Sequence, residues 1–197
     1  YLPGGQVVEV DRSKLVAQYV GQTAPNVNSY CDRATGGILF IDEAYTLSGE
    51  EGNRDTFGQE AIDTLLKRME DDRGKFIVIV AGYEKEMEGF LTSNPGLKSR
   101  FTNYLHFEDY MPEELTLIFK GLLNKSGYIY GEDVIQKASL ALKDIYNKRD
   151  KNFANGRTVR NLFENSIQEI GSRLSTLPKE KRTPDVLRTI LARKSVV

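Results

Sequence analysis

Gly37-Ile38-Leu39-Phe40-Ile41-Asp42-Glu43-Ala44-Tyr45 is the stretch whose reading decides the fold. Four consecutive apolar residues predict a strand covered on both faces, as in parallel sheets, rather than an edge strand of alternating polarity. Gly36-Gly37 breaks the chain before it, and two adjacent acids end it abruptly. Ligands of open α/β sheets sit in the crevice beyond the carboxyl ends of the strands, so both carboxylates are expected to face a site. Burying charge without a partner is costly. A hydrated Mg2+ beside phosphate oxygens would supply that partner, because this hard ion takes one or two carboxylates together with waters and phosphates. Asp42 suits that role, and Glu43 could orient or deprotonate a water for in-line attack on a terminal phosphate. An isolated match of this kind reads better as the polar start of an ordinary loop, so its surroundings have to decide.

Working outward, Gln6 to Val10 predicts a short strand, Ser13 to Tyr19 a short helix opened by an N-capping serine, and Asn26 to Ala34 a second helix. After a polar, Gly-rich loop from Ser48 to Gly58, residues Ile62, Leu65, Leu66 and Met69 recur at helical spacing within Gln59 to Glu70. Phe76 to Ala81 predicts a second all-apolar strand and Tyr104 to Phe107 a third. Residues 1–110 therefore read as an α/β layer with a mostly parallel sheet. Beyond Pro112, the stretches Glu113 to Leu123, Glu132 to Asn147, Thr158 to Leu174 and Pro184 to Arg193 show apolar spacing of three and four with no strand between them, which predicts a four-helix unit over 111–197.

The 197 residues, 40% hydrophobic and 28% charged, are enough for one large domain or two small ones. Net charge is only -1, without the basic footprint of a dedicated nucleic-acid binder. The balance is uneven: residues 1–111 hold 11 Lys and Arg against 18 Asp and Glu, whereas 112–197 hold 16 against 10. Two units of opposite character are expected, joined at Asp109-Tyr110-Met111-Pro112. The one cysteine, Cys31, cannot form an internal disulfide, so a reducing, cytoplasmic setting is the default. It reads as a small buried hydrophobe. The lone histidine, His106, is expected to pack at the end of a strand, with no second partner for a triad. Apolar runs stop at about six residues, far below the ~20 that span a bilayer.

The motif series VVEVDRSKLVAQYVGQTAPN, GILFIDEAYTL, FGQEAIDTLLKRMED, FIVIVAGY, SNPGLKSRF and ANGRTVRNLFE resembles, in order and spacing, AAA+ ATPases of the group containing red-type Rubisco activase and stage V sporulation protein K. The resemblance covers nearly the whole chain. It implies an AAA+ P-loop NTPase core, a parallel sheet flanked by helices, followed by a small all-α lid. It also implies ATP and Mg2+ as ligands and a ring, a hexamer, acting on a protein client.

Within that resemblance Asp42 and Glu43 form the Walker B pair, with Asp42 holding Mg2+ through water. Tyr19-Val20-Gly21 takes the place of the loop that grips an extended polypeptide in the central channel. A tyrosine on a short loop offers wide, sequence-tolerant contact, and glycine lets the backbone flex; the plainer alternative is a hydrophobic cap on the preceding helix. Gly49 to Phe57 takes the place of a second such loop or is a solvated charged loop. Arg100 falls at the arginine-finger position, an effect worth about 10³ to 10⁵ in rate; otherwise it is a cation at a helix C-terminus. Arg157 matches sensor 2, and Arg160 shares that role or pairs with Glu164. Tyr83 is the side chain near the sensor 1 position able to donate a hydrogen bond.

A motor of this kind needs G-x-x-x-x-G-K-[ST] after a strand. The only Gly-Lys pair, Gly74-Lys75, is followed by Phe76 and lacks the upstream glycine. The resemblance places the P-loop and its strand just before Tyr1, so the chain is expected to be a piece of a longer protein, with a gap in the sheet between the strands ending at Ala81 and at Phe107. The alternatives are a nucleic-acid motor, against which the net charge and the loop tyrosine count, and a non-catalytic interaction module, against which Glu43 and Arg100 count.

Overall fold

The computed structural model describes residues 2–49, 55–150 and 153–192. Its contacts divide the chain into one unit, Tyr1–Leu105, and another, His106–Val197.

The first unit is built on three parallel strands, β1 (Val7–Val10), β2 (Ile38–Ile41) and β3 (Ile77–Val80), in the order β1-β2-β3. The register sets Val8, Leu39 and Val78 side by side, and then Val10, Ile41 and Val80. Those six side chains share one face, because alternate residues of a strand point the same way. They pack against the core formed with α2 (Thr23–Ala34) and α3 (Thr56–Asp71), through Val27, Cys31, Ile62 and Leu65. The expectation of cover on both faces fails for the other side: Val7, Ile77 and Ile79 are exposed at 60%, 51% and 40%, and Ile38 and Phe40 are half-buried. Among the described residues of the first unit no helix buries that face.

A short helix α1 (Arg12–Leu15) follows β1. It is shorter than expected and capped by Asp11, not Ser13. The Asp11 carboxylate accepts the Lys14 N–H at 3.2 Å, and the Ser13 hydroxyl donates to the same oxygen at 2.5 Å. A carboxylate two residues earlier, already in extended backbone, is simply the better placed acceptor. After β3 come α4 (Glu84–Ser93) and α5 (Pro95–Arg100), the latter capped by Asn94, which accepts the Gly96 N–H at 2.8 Å, with proline at its first position.

Tyr104 to Phe107 is not a strand. Residues 101–111 carry no regular element, and Leu105 and Phe107 are more than four-fifths exposed. A strand exists only by hydrogen bonding to a neighbour, and none is available here. His106, expected at a strand end, is accordingly exposed.

The second unit contains α6 (Pro112–Lys125), α7 (Glu132–Asn147) and α8 (Gly156–Thr176), packed through Leu115, Phe119, Leu123, Leu142, Val159 and Ile170. The fourth predicted helix is only α9 (Pro184–Arg188), which runs into β5 (Thr189–Ile190). β5 pairs in parallel with β4 (Ile129–Tyr130), so two short strands interrupt the helices where none was expected. The Arg173 guanidinium pins this end by donating to the Val186 and Thr189 carbonyls, both at 2.7 Å.

Candidate functional site

The two acids sit where the parallel topology places a ligand, at the carboxyl end of the middle strand. The Asp42 N–H still donates to the Val10 carbonyl at 2.9 Å, and then the chain turns sharply. Glu43 has φ 48° and ψ 45°, the left-handed region, which costs a non-glycine residue roughly 1–2 kcal/mol. Four hydrogen bonds hold it there. The Asp42 carboxylate accepts the Glu43 N–H at 3.0 Å, the Glu43 carbonyl accepts the Thr46 N–H at 2.9 Å and its hydroxyl at 2.7 Å, and the Ala44 N–H donates to the Ala81 carbonyl of the next strand at 3.0 Å. Local strain fixed by this many bonds is the kind that turns up at functional turns. Beyond Glu43 a 3-10 turn, Ala44–Ser48, buries Ala44 and Leu47 and leaves both carboxylates exposed. The desolvation penalty invoked from sequence therefore does not act on these acids here.

Asp42 and Glu43 line an open cleft of about 610 Å³ together with Asp11, Arg12, Ser13, Val16, Gln18, Thr46 and Phe57. The volume suits a small organic ligand. A second cavity, about 30 Å³ between Phe119, Val134, Leu162 and Ile190 of the other unit, is far too small for one. Among the described residues no group of three or more His, Cys, Asp or Glu forms a metal cage. That is compatible with Mg2+, which needs one or two carboxylates when phosphates complete its shell.

Tyr83 caps α4, is exposed, and sits with its ring 6.4 Å from that of Tyr45, two residues beyond Glu43. Tyr19 and Val20 project into solvent at 69% and 87% exposure, and Gly21 has φ 81°, which glycine adopts at little cost. Tyr19 does not cap α1, which ends four residues earlier. The loop is anchored instead by the Ala17 N–H donating to the buried Thr23 hydroxyl at 3.2 Å. Of the second loop, 50–54 lie outside the described residues.

Arg100 ends α5 and does not line the cleft. Its guanidinium lies back on its own unit: one nitrogen is 3.4 Å from the Glu70 carboxylate, another 3.5 Å from the Gly96 carbonyl, and Nε is buried without a hydrogen-bond partner. The Gly96 contact is the C-terminal cation of the plainer reading. The side chain is still 31% exposed, and both contacts are long for charge-assisted bonds. Arg157 and Arg160 begin α8 in the second unit, one turn apart and exposed. Among the described residues no ion pair joins Arg160 to Glu164.

Three residues escaped the sequence reading: Arg12, Thr46 and Asp55. Arg12 pairs with Asp55, the N-cap of α3, and donates to the Thr46 carbonyl at 3.0 Å. Burial works to raise the Asp55 pKa, but the Arg12 hydrogen bond, with the Gly58 and Phe57 N–H groups, outweighs it and holds the carboxyl below its ordinary value of 3.8. Cys31 is fully buried, and burial pushes its thiol up to about 11, as befits an inert core residue.

A parallel sheet, an acidic turn at the end of its middle strand and a separate helical unit define an α/β class of protein with an appended helical unit. Comparison with known families makes this specific. Residues 3–109 match the ATPase family associated with various cellular activities (AAA), and residues 111–193 match the AAA lid domain. The chain belongs to the AAA family. It is 40% identical over 193 residues to the chloroplastic ribulose bisphosphate carboxylase/oxygenase activase of Cyanidioschyzon merolae, covering 98% of this chain and 64% of that one. It is 43% identical over 179 residues to stage V sporulation protein K of Bacillus subtilis, covering 88% and 53%, and 41% identical over 178 residues to protein CbbX of Cereibacter sphaeroides, covering 89% and 56%. The chain thus spans about two thirds or less of the length of these relatives. The crystal structure of the FIGL-1 AAA domain superimposes with a TM-score of 0.59 at 16% identity, over 92% of this chain and 57% of that one, which shows the shared fold. No helix among the described residues is long and apolar enough to cross a membrane.

Proposed function

We propose that the intact protein is an ATP hydrolase that converts turnover into work on a protein client, with part of its core at 1–110 and its lid at 111–197. The strained Asp42-Glu43 turn, at the mouth of the middle strand of an AAA-type sheet, carries this reading. Mg2+ bound to the phosphates would be held through water by Asp42 and would offset phosphate charge. The Glu43 carboxylate accepts a proton from water as the water oxygen bonds to the terminal phosphorus. The bond from that phosphorus to the bridging oxygen breaks, and ADP and phosphate leave. Tyr83, beside the turn through Tyr45, is the hydrogen-bond donor in the sensor 1 place. Arg157 and Arg160 at the start of α8 are the lid's contacts to phosphate.

Arg100 serves a neighbouring subunit. It is absent from its own cleft and held only by long contacts, so an oxyanion from another protomer can replace them. This supports a ring, which we take to be a hexamer. Tyr19 and Val20 on a glycine-hinged loop grip the client in the channel. The relative named as a ribulose bisphosphate carboxylase/oxygenase activase supports a protein client over nucleic acid, and the lone, buried Cys31 is what a cytoplasmic setting would leave unpaired. The open face of the sheet and the unpaired edge of β3 are where a further strand and helix, joined by the P-loop, complete the core.

Calorimetry and turnover assays test this together. The 197-residue chain is expected to bind ATP weakly or not at all. A longer form with the P-loop should bind and hydrolyse it, Glu43→Gln should retain binding and lose turnover by about 10²-fold or more, and Arg100→Ala should spare binding while abolishing turnover in the assembled state. Micromolar ATP binding by the short chain, or full turnover by Glu43→Gln, overturns the assignment.

A further inference from the structure

Arg12 touches neither proposed active group, yet it joins the two ends of the proposed machine. It is the first residue of α1, the helix that leads directly into the Tyr19 loop. Its guanidinium reaches across to the 3-10 turn and donates to the Thr46 carbonyl at 3.0 Å. Thr46 in turn places both its N–H and its hydroxyl on the carbonyl of Glu43, the residue held in the left-handed conformation. The same guanidinium pairs with Asp55, whose other oxygen caps α3 through the Phe57 and Gly58 N–H groups at 3.2 and 3.1 Å.

The path from Glu43 to the loop is thus Glu43 carbonyl, Thr46, Arg12 and α1, with α3 held from the side. Gly58 makes room for it, since a Cβ there would meet the Leu47 carbonyl and lie 2.8 Å from the Asp55 carboxylate and 3.0 Å from the Arg12 guanidinium. An arginine fits because a single terminal nitrogen, Nη1, carries two N–H donors, one for the Thr46 carbonyl and one for the Asp55 carboxylate, in directions fixed by the planar guanidinium, whereas the donors of a lysine ammonium rotate freely on a flexible stem.

We propose that Arg12 is a positioning residue that couples the conformation of the Glu43 turn to the Tyr19 loop, so that the nucleotide state at one sets the placement of the other. This rests on the reading of Glu43 as facing ATP and of Tyr19 as gripping the client. A turn already strained at Glu43 has a second arrangement within reach, which a coupling device requires. When the Glu43 backbone relaxes, Thr46 moves with it, and Arg12, pivoting about its fixed contact with Asp55, passes that movement to α1.

Hydrogen exchange of the full-length protein tests this without relying on a known client. Amides of Val16 to Gln22 are compared with a slowly hydrolysed ATP analogue and with ADP. In the parent protein the exchange rates should differ between the two by about threefold or more, as expected for a local coupling of this kind. In Arg12→Lys, which keeps the charge beside Asp55, the difference should shrink to within about 1.5-fold. Thr46→Val, which deletes the hydroxyl contact to Glu43 but keeps the shape, should reduce the difference in the same direction. A merely structural Arg12 would raise exchange equally in both states and leave their ratio unchanged; that result, or a parent protein whose loop ignores the nucleotide, overturns the proposal. Glu43→Gln separates the two levels. Normal turnover by that variant removes the ATPase reading and this inference with it, whereas lost turnover with an intact ratio in Arg12→Lys removes only the role of Arg12.

Discussion

On one face of the first unit's sheet, Val8, Val10, Leu39, Ile41, Val78 and Val80 pack against helices; on the other, Val7, Ile38, Phe40, Ile77 and Ile79 stand exposed or half-covered. The two sets alternate along the same three strands and are equally apolar, apart from Glu9 on the open side. Their difference lies entirely in what the rest of the chain supplies. Two helices cover the first face, and among the described residues of the first unit none covers the second, although parallel sheets are stable as two-sided layers. Composition states which surfaces favour burial, and topology decides which of them obtain it.

The largest effect should come from cutting into the covered face. Leu39 is fully buried, so Leu39→Ala is expected to cost about 2–5 kcal/mol in urea unfolding followed through the first unit. A cost below about 1 kcal/mol would mean that the covered face is as loosely packed as the open one and would break the comparison.

A smaller effect concerns how the covering helix is fixed. Asp55 caps α3 and pairs with Arg12, and removing it in Asp55→Ala should cost about 1–2 kcal/mol. The pH dependence follows from its lowered pKa. The folded protein holds the carboxylate ionised more strongly than the unfolded chain does, so the stabilisation is complete above the ordinary value of 3.8 and is lost as pH falls through the lower folded value. Asp72, lowered first by its hydrogen bonds to Lys75 and Arg68 despite an opposing desolvation, adds in the same direction. Asp55→Ala should therefore flatten the loss of melting temperature between about pH 5 and pH 3 relative to the parent. An unchanged slope would show that the Arg12 contact contributes nothing.

Much of this was legible in the sequence because it depends on local pattern. Four apolar residues followed by two acids located β2 and its turn, and helical spacing located α3, α6, α7 and α8. What escaped depends on partners. Tyr104 to Phe107 has strand-like residues but no neighbour to pair with, and a lone apolar run cannot report that. The β4–β5 pair joins residues about sixty positions apart through two-residue strands, too short for any periodicity to register. Ser13 looked like a cap because serine is a common one, yet Asp11 had the correct backbone. Arg12 was invisible for a different reason: an arginine near a turn carries no signal until Thr46 and Asp55 are seen to converge on it. The placement of Arg100 against Glu70 is likewise a matter of tertiary packing that no spacing encodes.

The smallest effect sharpens the comparison most, because it asks whether the open face stays open. Ile79 is 40% exposed on the unpaired edge strand, so Ile79→Ala in the 197-residue chain should change stability by less than about 1 kcal/mol. In the longer protein that face should be covered and the edge of β3 paired. There the same substitution should behave like a core truncation and cost about 2–4 kcal/mol. Matched urea titrations of the two lengths give the difference directly, and it is independent of any activity assay. A small cost in both would mean that the face never becomes part of a core, and the completed sheet drawn above would then be wrong at this strand. A large cost in the short chain alone would place the error in the exposure of Ile79 itself. Only a cost that grows with chain length fits a sheet whose second face is closed by residues beyond those described here.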